Sequence, residues 1–255
     1  GTRQKEFNGD NEIAAETTLH LPFALALQGK DNLLVVDRNH FRVRRVTLQG
    51  NKVETLAGNG KSLFRGDGGL GAGATLDAPS GIAIDSHGNI YFADRLHQRV
   101  RKIVPEGIIQ TVVGNGKQGS EGNRGPASEA ALHLPEVLTI DSEDNIYITQ
   151  RSGNGWLVRK VNKEGVITHF AGNGMQGNAG DGGPAQNASF HTISDINADE
   201  EGNIFITDSI NRNIRKVDKR GIISMVAEKS LTLLGTEVHP NGIVIDKAGS
   251  LFFSD

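Results

Sequence analysis

Hydrophobic and polar positions alternate along this chain in short runs that return in a fixed order. Ile82, Ile84, Ile90 and Phe92 alternate with small or polar neighbours, the period-2 signature of strands packed on at least one face. Between the two runs, Ser86-His87-Gly88-Asn89 supplies the Gly and Asn that tolerate the positive φ of a hairpin turn. After Asp94 the polar stretch Arg95-Leu96-His97-Gln98 leads into a third run, Arg99-Val100-Arg101-Lys102-Ile103. Pro105-Glu106-Gly107 turns the chain, and Ile108-Ile109-Gln110-Thr111-Val112-Val113 forms a fourth run that stops at Gly114-Asn115-Gly116. The unit reads as a four-stranded antiparallel meander.

The unit recurs with constant spacing. From its opening residue (Pro22, Pro79, Pro135, Ile193, Pro240) to the end of the first run (Gln28, Asp85, Asp141, Asp199, Asp246) is six positions in every copy, and nine more reach the end of the second (Asp37, Asp94, Gln150, Asp208, Asp255). A period of 47 to 58 residues suits a blade of four strands with its connection, and no stretch carries the 3.6-residue period of a helical repeat. The spacing predicts an all-β protein, a single domain over 1–255, with blades at about 19–58, 76–114, 132–172 and 190–228 and a partial blade at 238–255. Glycine-rich connectors precede the blades, as in Gly66-Asp67-Gly68-Gly69, Gly125-Pro126-Ala127 and Gly180-Asp181-Gly182-Gly183-Pro184-Ala185. By this ruler the chain starts and stops inside a repeat: four complete blades and half of a fifth.

Composition narrows the function classes. With 33 glycines and only 5% aromatic residues in 255, short strands and tight turns fit better than a helical bundle. A formal charge of -3 gives no electrostatic case for nucleic acid or an anionic membrane. The absence of cysteine removes disulfides, thiolate metal sites and cysteine nucleophiles together. No apolar run approaches the roughly 18 residues of a membrane span, and Gly1-Thr2-Arg3-Gln4-Lys5-Glu6 lacks both signal-peptide character and an initiating Met, which reads as a processed or excised polypeptide.

Pro79 to Asp94, Arg99 to Ile103, Val112 to Gly114 and Asn211-Arg212-Asn213-Ile214-Arg215-Lys216 resemble the NHL repeat, with its Pro-x-Gly-Ile-Ala-Val-Asp, Gly-Asn-Ile-Tyr-Ile-Ala-Asp, Asn-x-Arg-Ile-Arg-Lys and Val-Ala-Gly elements. The Gly-Asp-Gly-Gly-Pro-Ala connector is similar to that of large bacterial extracellular NHL proteins and of teneurin-like propellers. The resemblance implies a β-propeller, six-bladed in the full protein, with blades beyond the sequence given, and an extracellular or periplasmic location.

Each candidate for chemistry has a plainer counterpart. Asp37, Asp94, Asp208 and Asp255 could form a ring of carboxylates, but they face Arg44, Arg101, Arg159 and Arg215 of the next strand, and residues repeated in every unit serve the repeat. Gln150 breaks the series. His20, His133 and His191, with Asp77 as their counterpart, precede the first strands, which line the channel in propellers; imidazoles with a carboxylate suit zinc. Channel histidines bind zinc in the peptide-amidating lyases that the resemblance brings in. Asp67 and Asp181 each offer one carboxylate, fewer than calcium needs, and read as turn residues. Gly-Asn-Gly at 58–60, 114–116 and 172–174 lacks the Lys-Ser/Thr of a phosphate loop. Asn187-Ala188-Ser189 fits a glycosylation sequon. Trp156, Arg151 and Asn154 lie in a segment that departs from the other copies and offer a binding surface, unless Trp156 packs the blade.

The expectation is a non-enzymatic scaffold that binds a protein or glycan through its propeller loops, with no cofactor. One alternative is a propeller lyase or hydrolase holding Zn or Ca in the channel. The other is an RNA-binding propeller, suggested by the third-strand arginines and opposed by the acidic balance and the single Trp.

Overall fold

The computed structural model describes residues 5–227, 232–233, 236–237 and 239–254. The chain divides into two compact units, Gly1–Lys117 and Gln118–Asp255.

The first unit holds two four-stranded antiparallel sheets in sequential order. Strands β1 (Pro22–Gln28), β2 (Asn32–Asp37), β3 (Arg42–Thr47) and β4 (Lys52–Ala57) make the first blade. The second contains β5 (Pro79–Ile84), β6 (Ile90–Asp94), β7 (Arg99–Ile103) and β8 (Ile109–Val113). The second unit repeats the pattern with β9 (Leu138–Ile140), β10 (Ile146–Ser152), β11 (Gly155–Val161) and β12 (Ile167–Ala171), then β13 (Ile193–Ala198), β14 (Ile204–Asp208), β15 (Asn213–Val217) and β16 (Ile223–Ala227). A short pair follows, β17 (Thr232–Leu233) with β18 (Thr236–Glu237), and then the two-stranded start of a fifth blade, β19 (Ile243–Ile245) with β20 (Leu251–Phe253).

Local chemistry explains the meander. In every blade but the first, where Gln28 stands in its place, the aspartate after the first strand closes the hairpin. Asp85 Oδ1 accepts the backbone N–H of His87 and Asn89, its Oδ2 accepts from the Asn89 amide and the Tyr91 hydroxyl, and Asp141 repeats the set with Glu143, Asn145 and Tyr147. Such side chains satisfy turn N–H groups that the ladder leaves orphaned. A bulge recurs where the third strand meets the fourth, between Val43/Arg44, Val100/Arg101, Val158/Arg159 and Ile214/Arg215. The extra residue re-aims the neighbouring side chains in the same way in every blade. At the end of β4 the chain passes so near β3 that a Cβ on Gly58, at φ +93°, would lie 2.0 Å from the Phe41 carbonyl oxygen. Only glycine fits there.

Each unit has its own core. Leu34, Val43, Leu76, Phe92 and Ile109 pack in the first, and Trp156, Val158, Phe190, Ile204 and Ile223 in the second. Burying each such side chain contributes about 1.5–3 kcal/mol.

Blade three departs from the pattern at one hairpin. In blades one and two a 3-10 turn (Arg38–His40, Arg95–His97) joins the second and third strands, ending in a left-handed residue, Phe41 or Gln98. Blade three replaces that turn with a longer ladder, in which Arg151 pairs with Trp156 and Ser152 with Gly155.

Candidate functional site

In blades one, two and four the repeated polar residues assemble into a buried clasp. Asp94 is fully buried and accepts the Asp77 backbone N–H at 2.8 Å, His97 Nδ1 at 2.9 Å and Arg101 Nη1 at 3.1 Å. Asp37 binds the His20 N–H at 2.8 Å and His40 Nδ1 at 2.7 Å, with Arg44 Nη1 at 3.7 Å. In blade four Asp208 takes the N–H groups of His191 and Thr192, and the Asn211 amide replaces the histidine.

The arginine of the clasp also reaches the glycine-rich connector. Arg44 meets Asp10 at 3.0 Å, Arg101 meets Asp67 at 2.7 Å and Arg215 meets Asp181 at 3.1 Å. Arg215 donates through its other nitrogens to the carbonyls of Ser189 and Ala179. Asp67 and Asp181, which the sequence presents as turn residues, are thus also partners of buried arginines. A constant separation of 34 residues between connector aspartate and arginine in three blades was the available signal.

Burial and ion pairing set the electrostatics. Burial pulls the Arg44 guanidinium down from its ordinary pKa against the pull of Asp10 and Asp37. His97 loses to burial but gains more from Asp94 and the Ser62 carbonyl, so its pKa rises. Burial raises the Asp77 carboxyl, with Asp94 adding to the rise and His97 opposing it.

Each candidate metal histidine has a local partner. His20 Nε2 lies 3.3 Å from the Asn39 amide, His133 Nε2 lies 2.7 Å from that of Gln118, and His191 Nδ1 lies 3.3 Å from the Thr192 hydroxyl. Among the described residues no group of three or more His, Asp or Glu is placed to hold a metal ion. Asp255 lies outside the described residues. Trp156 is 2% exposed and belongs to the core of the second unit, stacked under the Arg151 guanidinium at 4.4 Å. Burial takes it out of the candidate surface and leaves Arg151 and exposed Asn154 there. Gly172 repeats the close backbone approach of Gly58, since a Cβ on it would come within 2.3 Å of the Trp156 carbonyl oxygen.

Blade three keeps the arginine but loses both of its carboxylates. Gln150 stands where the other blades have Asp, and Asn123 where they have Asp10, Asp67 or Asp181. Arg159 is 1% exposed; Nη1 donates to the Ser120 carbonyl at 3.1 Å, while Nε and Nη2 have no partner among the described residues, nor does Gln150 Oε1. Burial lowers the guanidinium pKa, opposed by Glu121.

Beside this blade, wholly within the second unit, lies a cavity of about 490 Å³. Asn123 and Arg124 of the connector, His169 of β12, Gln186 and Arg220 contribute to its lining. Asn123 Oδ1 accepts the His169 N–H at 2.6 Å, the Gln186 amide donates to the His169 carbonyl at 2.9 Å, and Arg220 pairs with Asp218 at 2.8 Å.

Residues 49–122 match the teneurin NHL domain. Mouse Teneurin-3 is 30% identical over 225 residues, covering 77% of this chain and 8% of that protein. The Arabidopsis thaliana protein SUPPRESSOR OF QUENCHING 1, chloroplastic, is 29% identical over 269 residues, 94% of this chain and 24% of that protein. The chain is an NHL-repeat β-propeller. A solved putative gluconolactonase shares the fold at a TM-score of 0.63 and 8% identity, over 98% of this chain and 76% of that one. The NHL chain thus spans less than a quarter of the length of either curated relative.

Proposed function

We propose that the chain is a non-enzymatic interaction scaffold, an extracytoplasmic module whose blade-connecting loops bind a protein or glycan. One observation carries this reading. The strand-end acids and third-strand arginines of blades one, two and four are turned inward and hydrogen-bonded, with Asp37, Asp94, Asp208, Arg44, Arg101 and Arg215 all at 0% exposure. A group in that state neither meets substrate nor exchanges protons freely. Surface identity is left to the loops, where the blades differ from one another, as interaction sites on rigid scaffolds generally are. Similarity to a stretch of Teneurin-3 and the Gly-Asp-Gly-Gly-Pro-Ala connector support an extracytoplasmic location.

The test pairs binding with turnover. The chain is titrated by calorimetry against arrayed extracellular glycans and ectodomains, and each binder is then incubated with it and analysed by mass spectrometry. Saturable binding with no change in ligand mass is the expected result. A product whose formation is lost in His133→Ala and His191→Ala would replace the scaffold by an enzyme.

A further inference from the structure

The groove beside β12 differs in charge from the same place in the other blades. Its counterpart at blade one carries Asp10, Thr55 and Glu106. At blade three they become Asn123, His169 and Arg220, and a further arginine, Arg124, stands where Asn11, Gly68 and Gly182 stand elsewhere. Both acidic positions of the repeat have been lost here, and two arginines gained. Asp218 offsets one of them, since it holds Arg220 through Nε at 2.9 Å and Nη2 at 2.8 Å.

Arg124 is kept at some cost. It sits at φ +66°, the left-handed region that glycine fills in two of the other connectors, at φ +81° and +82°. Asn11, at the matching position of the first connector, takes the same φ of +66°. Its backbone N–H donates to the Ile167 carbonyl, and its guanidinium has no ion pair or hydrogen bond among the described residues. Arg159 shows what the loss of the connector carboxylate changes inside the blade. Its counterparts Arg44 and Arg101 bind the connector aspartate at the position of Asn123. With Asn there, Arg159 has no connector carboxylate, and its Nε and Nη2 lack partners among the described residues, as Nε and Nη1 of Arg44 also do.

We infer that this groove binds an acidic saccharide of one or two rings, whose carboxylate or sulfate is held by Arg124 and Arg220. The cavity, at about 490 Å³, falls in the range of small-molecule sites. Arg124 and the free Nη1 of Arg220 face it as donors to an acid, and a planar guanidinium suits a carboxylate or sulfate bidentately. Asn123 Nδ2 and Gln186 Oε1, unused by the bonds their other atoms make to His169, remain as donor and acceptor for hydroxyls. An extended acidic peptide is disfavoured by the backbone. The outer edge of β12, which such a peptide would extend, already pairs with the connector through Arg124 N–H to Ile167 O, Ile167 N–H to Gly125 O and His169 N–H to Asn123 Oδ1.

This inference rests on the scaffold reading and names one ligand class for it. The whole chain is titrated calorimetrically with chondroitin 4-sulfate disaccharide, maltose and tetraglutamate. Binding of the sulfated disaccharide alone, weakened at least tenfold in Arg124→Gly and again in Asn123→Asp, is expected. Both variants install the residue of another blade, so both should fold, and Asn123→Asp should raise the melting temperature by giving Arg159 its carboxylate. Failure of the disaccharide to bind, equal binding of maltose or tetraglutamate, or affinity unchanged in both variants would overturn the site. Cleavage of a bound disaccharide would overturn the scaffold reading and leave the site standing.

Discussion

Arg101 and Arg159 occupy the same place in two blades and are both almost fully buried, yet their energetics are opposite. Arg101 faces Asp94 and Asp67, so Arg101→Met strands a buried carboxylate and should cost about 3–5 kcal/mol. Arg159 has no ion-pair partner among the described residues. Arg159→Met, which trades an unpaired charge for an apolar side chain of similar length, should be neutral or stabilising by about 1–3 kcal/mol. Urea denaturation of the two variants measures the contrast. His97 gives the clasp a pH dependence. Its pKa is raised in the folded state, so its stabilisation is fully present below the ordinary value of about 6.5 and is lost as pH rises through the higher folded value. In His97→Asn, which copies Asn211 of blade four, the fall in denaturation midpoint as pH rises through that window should disappear. Which residues recur was legible in the sequence, because repetition is a pattern of identity. Which partners they choose was less so. The connector aspartates read as turn residues until the fold brought them to arginines 34 positions away.

At the scale of elements, alternation, turn residues and constant spacing announced every four-stranded blade, since each hairpin carries its own local instructions. The departure of blade three at its second hairpin was visible as an irregularity, but its effect was not. Whether Trp156 faced solvent depended on the core it joins with Phe190 and Ala188, which lie in the following connector. The start of the fifth blade is tied to blade four by Asp195, whose Oδ2 accepts the Ile243 N–H at 2.8 Å while Oδ1 accepts that of Ile196. Burial raises this carboxyl to about 6, against the pull of those two N–H groups. Between about pH 4, the ordinary carboxylate value, and pH 6 the folded state therefore holds a proton that the unfolded chain has lost. Stability should fall as pH rises across that window, by up to about 3 kcal/mol, and level off above it. Asp195→Asn should flatten the profile, and amide hydrogen exchange at Ile243 would report it directly. A profile that rises over the same window would show that the ionised form is the one the fold favours.

For the molecule as a whole, the repeat supplies a scaffold and the exceptions to it supply a surface. Asp and Arg recur in blades one, two and four because those blades share an internal clasp, and making it uses them up. Asn123, Arg124, Gln150, His169 and Arg220 break the repeat within the second unit, and four of the five line one cavity. Sequence comparison between blades could flag each of these exceptions but could not show that they share a groove, because their convergence depends on how the connectors wrap β12. That the repeated charges are architecture is open to a direct measurement, the double-mutant cycle of Asp94→Asn and Arg101→Met followed by urea denaturation. A coupling energy of about 2 kcal/mol is expected, with ligand binding at the groove unchanged. Coupling near zero, or binding lost while stability holds, would show that these charges serve something other than the blade.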